Sequence, residues 1–209
     1  MKTLGNRIIY DTLEEIVDPK HTLLVAWDIQ NALVNNAFNK NEFVENTKAI
    51  LVAARKNKVP VVYTKITPLP AEYEFPAKIY MSMRRSGLDD PFKLPQFMKP
   101  GSPEAEIYAD LSPSPDDFVM NKNTASIFTG TNFENMARAK NIDTLIFTGI
   151  STEFGIASSA RDSANRGFYT VIADDCVSSP HKEGHEAALK ALSPISIVVS
   201  SSEIKSAWE

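Results

Sequence analysis

The chain has 209 residues, 43% of them hydrophobic and 23% charged, with a formal net charge of −4 and a pI near 5.5. That is one domain's worth of chain with enough apolar residues for a sizeable core, and its acidic balance argues against nucleic acid or an anionic membrane as the main partner. No apolar run approaches the roughly 20 residues of a spanning helix, the N-terminus lacks the apolar core of a signal peptide, and the single cysteine, Cys176, allows no intramolecular disulfide, so a cytoplasmic setting is expected.

Residues 1–20 are mixed and acidic around Glu14 and Glu15 and are read as an N-terminal arm or short helix. The run 22–28 is apolar and ends in polar residues, the pattern of a buried strand that delivers Asp28 at its tip. Residues 42–58 carry Phe43, Ile50, Leu51 and Ala54 at helical spacing. A second strand is predicted at 59–64. Residues 65–115 hold nine prolines and read as an irregular excursion, with a lid, an oligomer contact or a purely structural loop all open. Strands at 117–121, 144–148, 168–173 and 195–199 then alternate with helices at 131–140, 152–166 and 181–192, the first of these last two closed by Gly167. Such alternation defines α/β architecture: one domain, three layers α/β/α, with a mainly parallel six-stranded sheet of Rossmann-like type. Ligands of such sheets bind beyond the carboxyl ends of the strands, where Asp28, Lys122 and the turn at 149–155 all fall.

Asp28 follows five consecutive apolar residues. A carboxylate at the end of a buried strand is partly desolvated, which suits it to acid–base work; capping a turn in Asp-x-Gln-Asn is the other use of such a residue. Lys122 ends the strand that begins at Asp117. Beside a buried carboxylate it would hold that group ionised and could stabilise an anionic intermediate. The third element is Gly149-Ile150-Ser151-Thr152-Glu153-Phe154-Gly155, a strand end turning into a helix, which suits stabilisation of a developing negative charge. Glu153 fits the first helical turn as a dipole partner. His181 and His185, four apart, are read as surface residues, and no metal or other cofactor is expected. Cys176 is read as a small packed side chain.

Three ordered segments carry a resemblance. Leu23-Leu24-Val25-Ala26-Trp27-Asp28-Ile29-Gln30-Asn31 is similar to an apolar strand ending in D-x-Q-N. Lys122-Asn123-Thr124-Ala125-Ser126-Ile127-Phe128-Thr129-Gly130-Thr131 is similar to K-x-x-x-S-A-F-x-G-T. The segment from Gly149 to Ser163 is similar to G-[VI]-x-T-x-x-C-V-x-x-T-x-R-D-A, with Gly155 at the cysteine and Arg161 and Asp162 at the R-D pair. Over roughly 22–199 the chain thus resembles the isochorismatase-like hydrolase superfamily, often called the cysteine hydrolases. The resemblance implies Asp28 and Lys122 as an acid–base pair, and Ile150, Ser151, Thr152 and Gly155 as the turn that holds substrate or oxyanion, entered through a cis peptide. It implies a small-molecule substrate and a homo-oligomer, dimer or tetramer. Isochorismatases carry Gly at the nucleophile position, so a hydrolase that works by non-covalent Asp/Lys chemistry is expected, with room for substrate or water beside Gly155. The alternative is a catalytically silent member that binds a small molecule or a partner protein.

Overall fold

The computed structural model describes every residue except Gln96. It opens on a small antiparallel hairpin, β1 (Lys2–Leu4) and β2 (Arg7–Ile9), followed by one turn of helix, α1 (Leu13–Ile16). The N-terminal arm is therefore a hairpin plus a short helix. All six hairpin strand residues are exposed, so no burial pattern announced it.

Then comes β3 (Thr22–Trp27), buried along its whole length. A four-residue helix α2 (Asn31–Val34) and the long α3 (Lys40–Lys56) lead to β4 (Val61–Ile66). The excursion contains α4 (Pro76–Ser86) and several single 3₁₀ turns. Pro76 starts α4, where its missing N–H costs nothing, and Gly87 closes it in the left-handed conformation. The region is therefore less irregular than its prolines suggest. The chain continues through β5 (Phe118–Lys122), α5 (Phe133–Ala139), β6 (Thr144–Ile150), a π turn over Thr152–Ile156 that runs into α6 (Ala157–Asn165), β7 (Tyr169–Ser178), α7 (Lys182–Leu192), β8 (Ile197–Val199) and α8 (Ser201–Ala207).

The six long-range strands form one parallel sheet in the order β5-β4-β3-β6-β7-β8. Period-two alternation divides β3 between two cores. Leu24 and Ala26 face a layer that includes Phe43, Ile50, Leu51 and Ile204, from α3 and α8. Leu23, Val25 and Trp27 face the opposite layer with Phe147 of β6 and with Phe133, Ile156 and Ala160, from α5 and the π turn–α6 segment. The last helix, α8, begins with a capping box between Ser200 and Glu203, and just beyond it Trp208 donates through Nε1 to the Val17 carbonyl at 2.7 Å.

The topology fixes the place of the site. The strand order reverses between β3 and β6, and the chain leaves both strands at the same end of the sheet. A crevice outside the carboxyl ends at such a reversal is where open α/β sheets bind ligands.

Candidate functional site

Asp28 sits one residue past β3, with φ of 44°, a left-handed conformation that Asp tolerates better than most residues. Lys122 ends β5. Between them runs β4, whose Thr64 joins the backbone and side chain of Asp28. The Asp28 N–H donates to Thr64 Oγ1 at 3.0 Å, and Thr64 Oγ1 donates to Asp28 Oδ1 at 2.5 Å. The other carboxylate oxygen, Oδ2, accepts from Lys122 Nζ at 2.6 Å. Nζ also donates to the Thr124 carbonyl at 3.2 Å. The structure thus brings together two residues separated by 94 positions, through strand register alone: Ala26 lies opposite Tyr63, and Ile66 opposite Lys122.

Both groups are enclosed. The side chain of Lys122 is 0% exposed and that of Asp28 is 5% exposed. Burial pushes the Asp28 carboxyl up, against the Lys122 charge and the Thr64 hydrogen bond that pull it down. Burial likewise pushes the Lys122 ammonium down, against its attraction to Asp28. The two proton affinities move towards each other, which favours moving a proton between the pair and a bound acceptor.

Gln30 locks the neighbourhood. Its Oε1 accepts from the Ile66 N–H at 2.7 Å, and its Nε2 donates to the carbonyls of Ala105 at 2.7 Å and Ile66 at 3.2 Å. Asn31 Nδ2 donates to the Pro103 carbonyl at 2.7 Å. The Asp-x-Gln-Asn segment therefore delivers the carboxylate with its first residue and clamps the excursion to the sheet with the last two. A further clamp joins Asn123 Nδ2 to Glu74 Oε1 and to the Thr67 carbonyl, both at 3.0 Å, with Lys78 Nζ on the same Glu74 oxygen at 2.8 Å.

The third element enters from β6. The Ile150–Ser151 peptide is cis. Gly149, at φ of 118°, has no alternative: a Cβ there would lie 1.9 Å from the Trp27 carbonyl oxygen. Thr152 Oγ1 donates to the Ser178 carbonyl at 3.0 Å, and its single proton is thereby used. The contact of 2.8 Å to His185 Nδ1 then makes the imidazole the donor, with the proton on Nδ1. His185 is 8% exposed, which corrects the expectation of a surface histidine pair; only His181, at the start of α7, is exposed. Desolvation pushes the His185 imidazole below its usual range, keeping it neutral, with Glu153 the nearest counterweight.

Glu153 accepts from Ser179 Oγ at 2.5 Å. Asp162 receives Ser126 Oγ at 2.5 Å and pairs with Arg166 at 3.2 Å, which ties α6 to the loop after Lys122. Arg161 is exposed, and its side chain bonds the carbonyl of Ala157 in its own helix. Cys176 is fully buried, and burial raises its thiol far above the usual range, so it is no nucleophile. Among the described residues, no three His, Cys, Asp or Glu side chains gather in a way that could hold a metal ion.

One expectation fails at Gly155. The space beside it is not free for substrate or water. A Cβ at position 155 would lie 2.1 Å from Trp27 Nε1 and 2.4 Å from Cε2, inside the indole. Trp27 is 1% exposed, and its ring lies under the Lys122 ammonium, with Nζ 3.8 Å from the ring centroid. In the sequence Trp27 is one more apolar residue of the strand. The signal was there in two parts: the bulkiest side chain immediately before the motif aspartate, and glycine at the turn that packs against it.

The comparisons with known proteins agree with this architecture. The isochorismatase domain model matches residues 22–204. A ureidoacrylate amidohydrolase of Methylobacterium radiotolerans is 27% identical over 83% of this chain and 73% of its own length. A maleamate amidohydrolase of Pseudomonas putida is 30% identical over 70% of this chain and 64% of its own length. Among solved structures, a cysteine hydrolase from Pseudomonas syringae superposes with a TM-score of 0.79 at 17% identity, covering 98% of both chains. An isochorismatase family protein from Burkholderia thailandensis superposes with a TM-score of 0.74 at 26% identity, covering 91% of this chain and 96% of that one. The fold is the three-layer α/β/α arrangement of those structures, with a polar pair at the carboxyl ends of its strands. The chain belongs to the isochorismatase family, and it is a hydrolase of that family.

Proposed function

We propose that this hydrolase acts on a small molecule by non-covalent acid–base chemistry, with Asp28 moving the proton and Lys122 stabilising the negative charge that develops. One observation carries the reading: a buried carboxylate and ammonium 2.6 Å apart, beside a turn whose Gly155 offers no nucleophilic side chain. A carboxyl group whose affinity for its proton is raised by burial is a competent general acid near neutral pH. Ile150, Ser151, Thr152 and Gly155 are proposed to hold the substrate, with backbone donors of the turn facing its developing charge. Water, rather than a protein group, then supplies the attacking oxygen.

A turnover screen over vinyl ethers, small amides and carbamoyl compounds tests the reading. We expect hydrolysis of at least one class, with activity falling by roughly 100-fold or more in Asp28→Ala. Activity should also decline as pH rises through the raised pKa of Asp28, because the acid form is the working one. Turnover that survives Asp28→Ala would overturn the assignment.

A second reading, a silent binder, is favoured by the packing of Trp27 against Gly155 and by the near-complete burial of both polar side chains. It predicts no turnover in any class, and unchanged ligand binding in Asp28→Ala.

Self-association in a reducing cytoplasm is part of the same proposal. The excursion exposes Tyr73, Phe75, Tyr80, Met81, Phe92 and Phe97, Phe92 at 97%. So many large apolar side chains on one segment are a common mark of a protein contact. Light scattering at micromolar concentration is expected to give at least the dimer mass, and Phe92→Glu/Phe75→Glu to reduce it. A monomer mass for the parent chain would refute this.

A further inference from the structure

We propose that Trp27 is the residue that bars a nucleophile from position 155: its indole takes up the volume in which any side chain there would have to stand, so position 155 can present only backbone. The proposal deepens the non-covalent reading and rests on it for its meaning in catalysis. Its physical content is separate.

The geometry comes from three contacts. The edge of the indole, Nε1, Cε2 and Cζ2, lies 2.1, 2.4 and 2.6 Å from where a Cβ at Gly155 would sit. Real Cβ atoms do not approach heavy atoms this closely, so either the ring or the turn must move. The ring is not free to move. It is 1% exposed, sits in the same buried core as Phe147 and Ile156, and its face carries the Lys122 ammonium at 3.8 Å. Nor is the turn free. The Ser159 Oγ–H donates to the Gly155 carbonyl at 2.8 Å, Thr152 is held by Ser178 and His185, and Gly149 is wedged against the Trp27 carbonyl. Gly155 is thus required by Trp27 and not by its own backbone, whose φ lies outside the left-handed region. The two residues are one steric unit: a large residue on β3 and an absent one on the turn, with the charge of the acid–base pair resting on the large one.

A consequence follows for the chemistry. Acquiring a nucleophile at position 155 takes two changes, and the change at 155 cannot come first. Gly155→Cys alone forces a buried clash, and its failure to show amidase activity would say nothing about Asp28 and Lys122. With Trp27 made small, the same thiol has room and stands near the Lys122 ammonium.

The test is a two-by-two series read by thermal unfolding and alkylation. Gly155→Ala is made in the parent and in Trp27→Val, whose own stability is lower, so the effect of Gly155→Ala is compared within each background. In the parent we expect Tm to fall by roughly 5–10 °C. In the Trp27→Val background we expect no loss, or a gain, because Ala suits a helical turn better than Gly. The thiol introduced by Gly155→Cys in Trp27→Val is then treated with iodoacetamide: the thiolate sulfur bonds the CH₂ carbon, iodide leaves, and the thiol proton goes to solvent. The native chain, whose only cysteine is the buried Cys176, sets the baseline. Labelling at least about tenfold above that baseline is expected for an opened, accessible thiol. Equal effects of Gly155→Ala in the two backgrounds, or labelling no faster than the native chain, would overturn the proposal. Neither result depends on turnover, so the proposal can fail while the acid–base reading stands.

Discussion

Lys122→Met should cost about 3–5 kcal/mol of folding stability at neutral pH, because it leaves the Asp28 carboxylate buried and unpaired. For a chain of this length that is a fall of roughly 6–20 °C in Tm. Both partners are deep: the side chains of Lys122 and Asp28 are 0% and 5% exposed, so solvent screening offers little relief. The methionine fills most of the stem's volume, and the loss is then chiefly electrostatic. The pH dependence has a definite sign. Asp28 already has its carboxyl pushed up by burial, and the Lys122 charge is the leading influence opposing that push. Removing the charge raises the folded-state pKa further above the unfolded value. Between those two values the folded state binds more protons than the unfolded state, so stability falls as pH rises. The variant should therefore be closest to the parent in mild acid and furthest from it above neutrality. Lys122→Met/Asp28→Asn, which removes both charges, should recover a large part of the loss. Urea unfolding of the three proteins at pH 5 and pH 8 checks this. A Lys122→Met deficit that does not change with pH would show that Asp28 is not the group left unpaired.

The fold and the buried Asp28–Lys122 pair were legible in the sequence for different physical reasons. The six sheet strands announce themselves because a parallel sheet covered on both faces needs continuous apolar runs, and Leu23–Trp27, Val61–Tyr63 and Leu145–Phe147 are such runs. Strand ends then point to Asp28 and Lys122, since polar residues follow at once. The N-terminal hairpin could not be read, because β1 and β2 are exposed on both faces and carry no alternation. In the excursion, α4 contains no buried residue, so its apolar side chains, Ile79, Tyr80, Met81 and Met83, do not mark a core-facing stripe. The burial of His185 depends on Thr152 and Phe38, which are 33 and 147 positions away in sequence. The role of Trp27 was hidden in a different way. Its burial follows from the strand, but its partner is set by the crossing of β3 with the turn after β6, and only the three-dimensional distance to position 155 reveals what it displaces.

Trp27→Ala is expected to be the most destabilising single change on β3, at about 3–5 kcal/mol for loss of a fully buried large aromatic side chain. The loss has two parts with separate signatures. One is the cavity opened beside Gly155 in the core layer that holds Phe147 and Ile156, which removes dispersion contacts from the residues around the ring. The other is the cation–π contact with Lys122, on the order of 2 kcal/mol when desolvated as here. Trp27→Phe retains a ring face under the ammonium while giving up Nε1 and part of the volume, so it should fall between the parent and Trp27→Ala. Trp27→Leu keeps apolar volume without a ring, and should fall below Trp27→Phe if the cation–π part is real. The cavity of Trp27→Ala is shaped for the ring that it lost and is lined largely by apolar groups, so it should bind free indole. At a free indole concentration tenfold above Kd, binding to the folded state alone adds about 1.4 kcal/mol, roughly 3–6 °C in Tm. The parent, whose indole already fills the space, should not respond. Scanning calorimetry with and without indole measures both. Equal Tm shifts in parent and variant, or a Trp27→Ala protein as stable as the parent, would mean that Trp27 is not the packed support of the acid–base pair that its contacts describe.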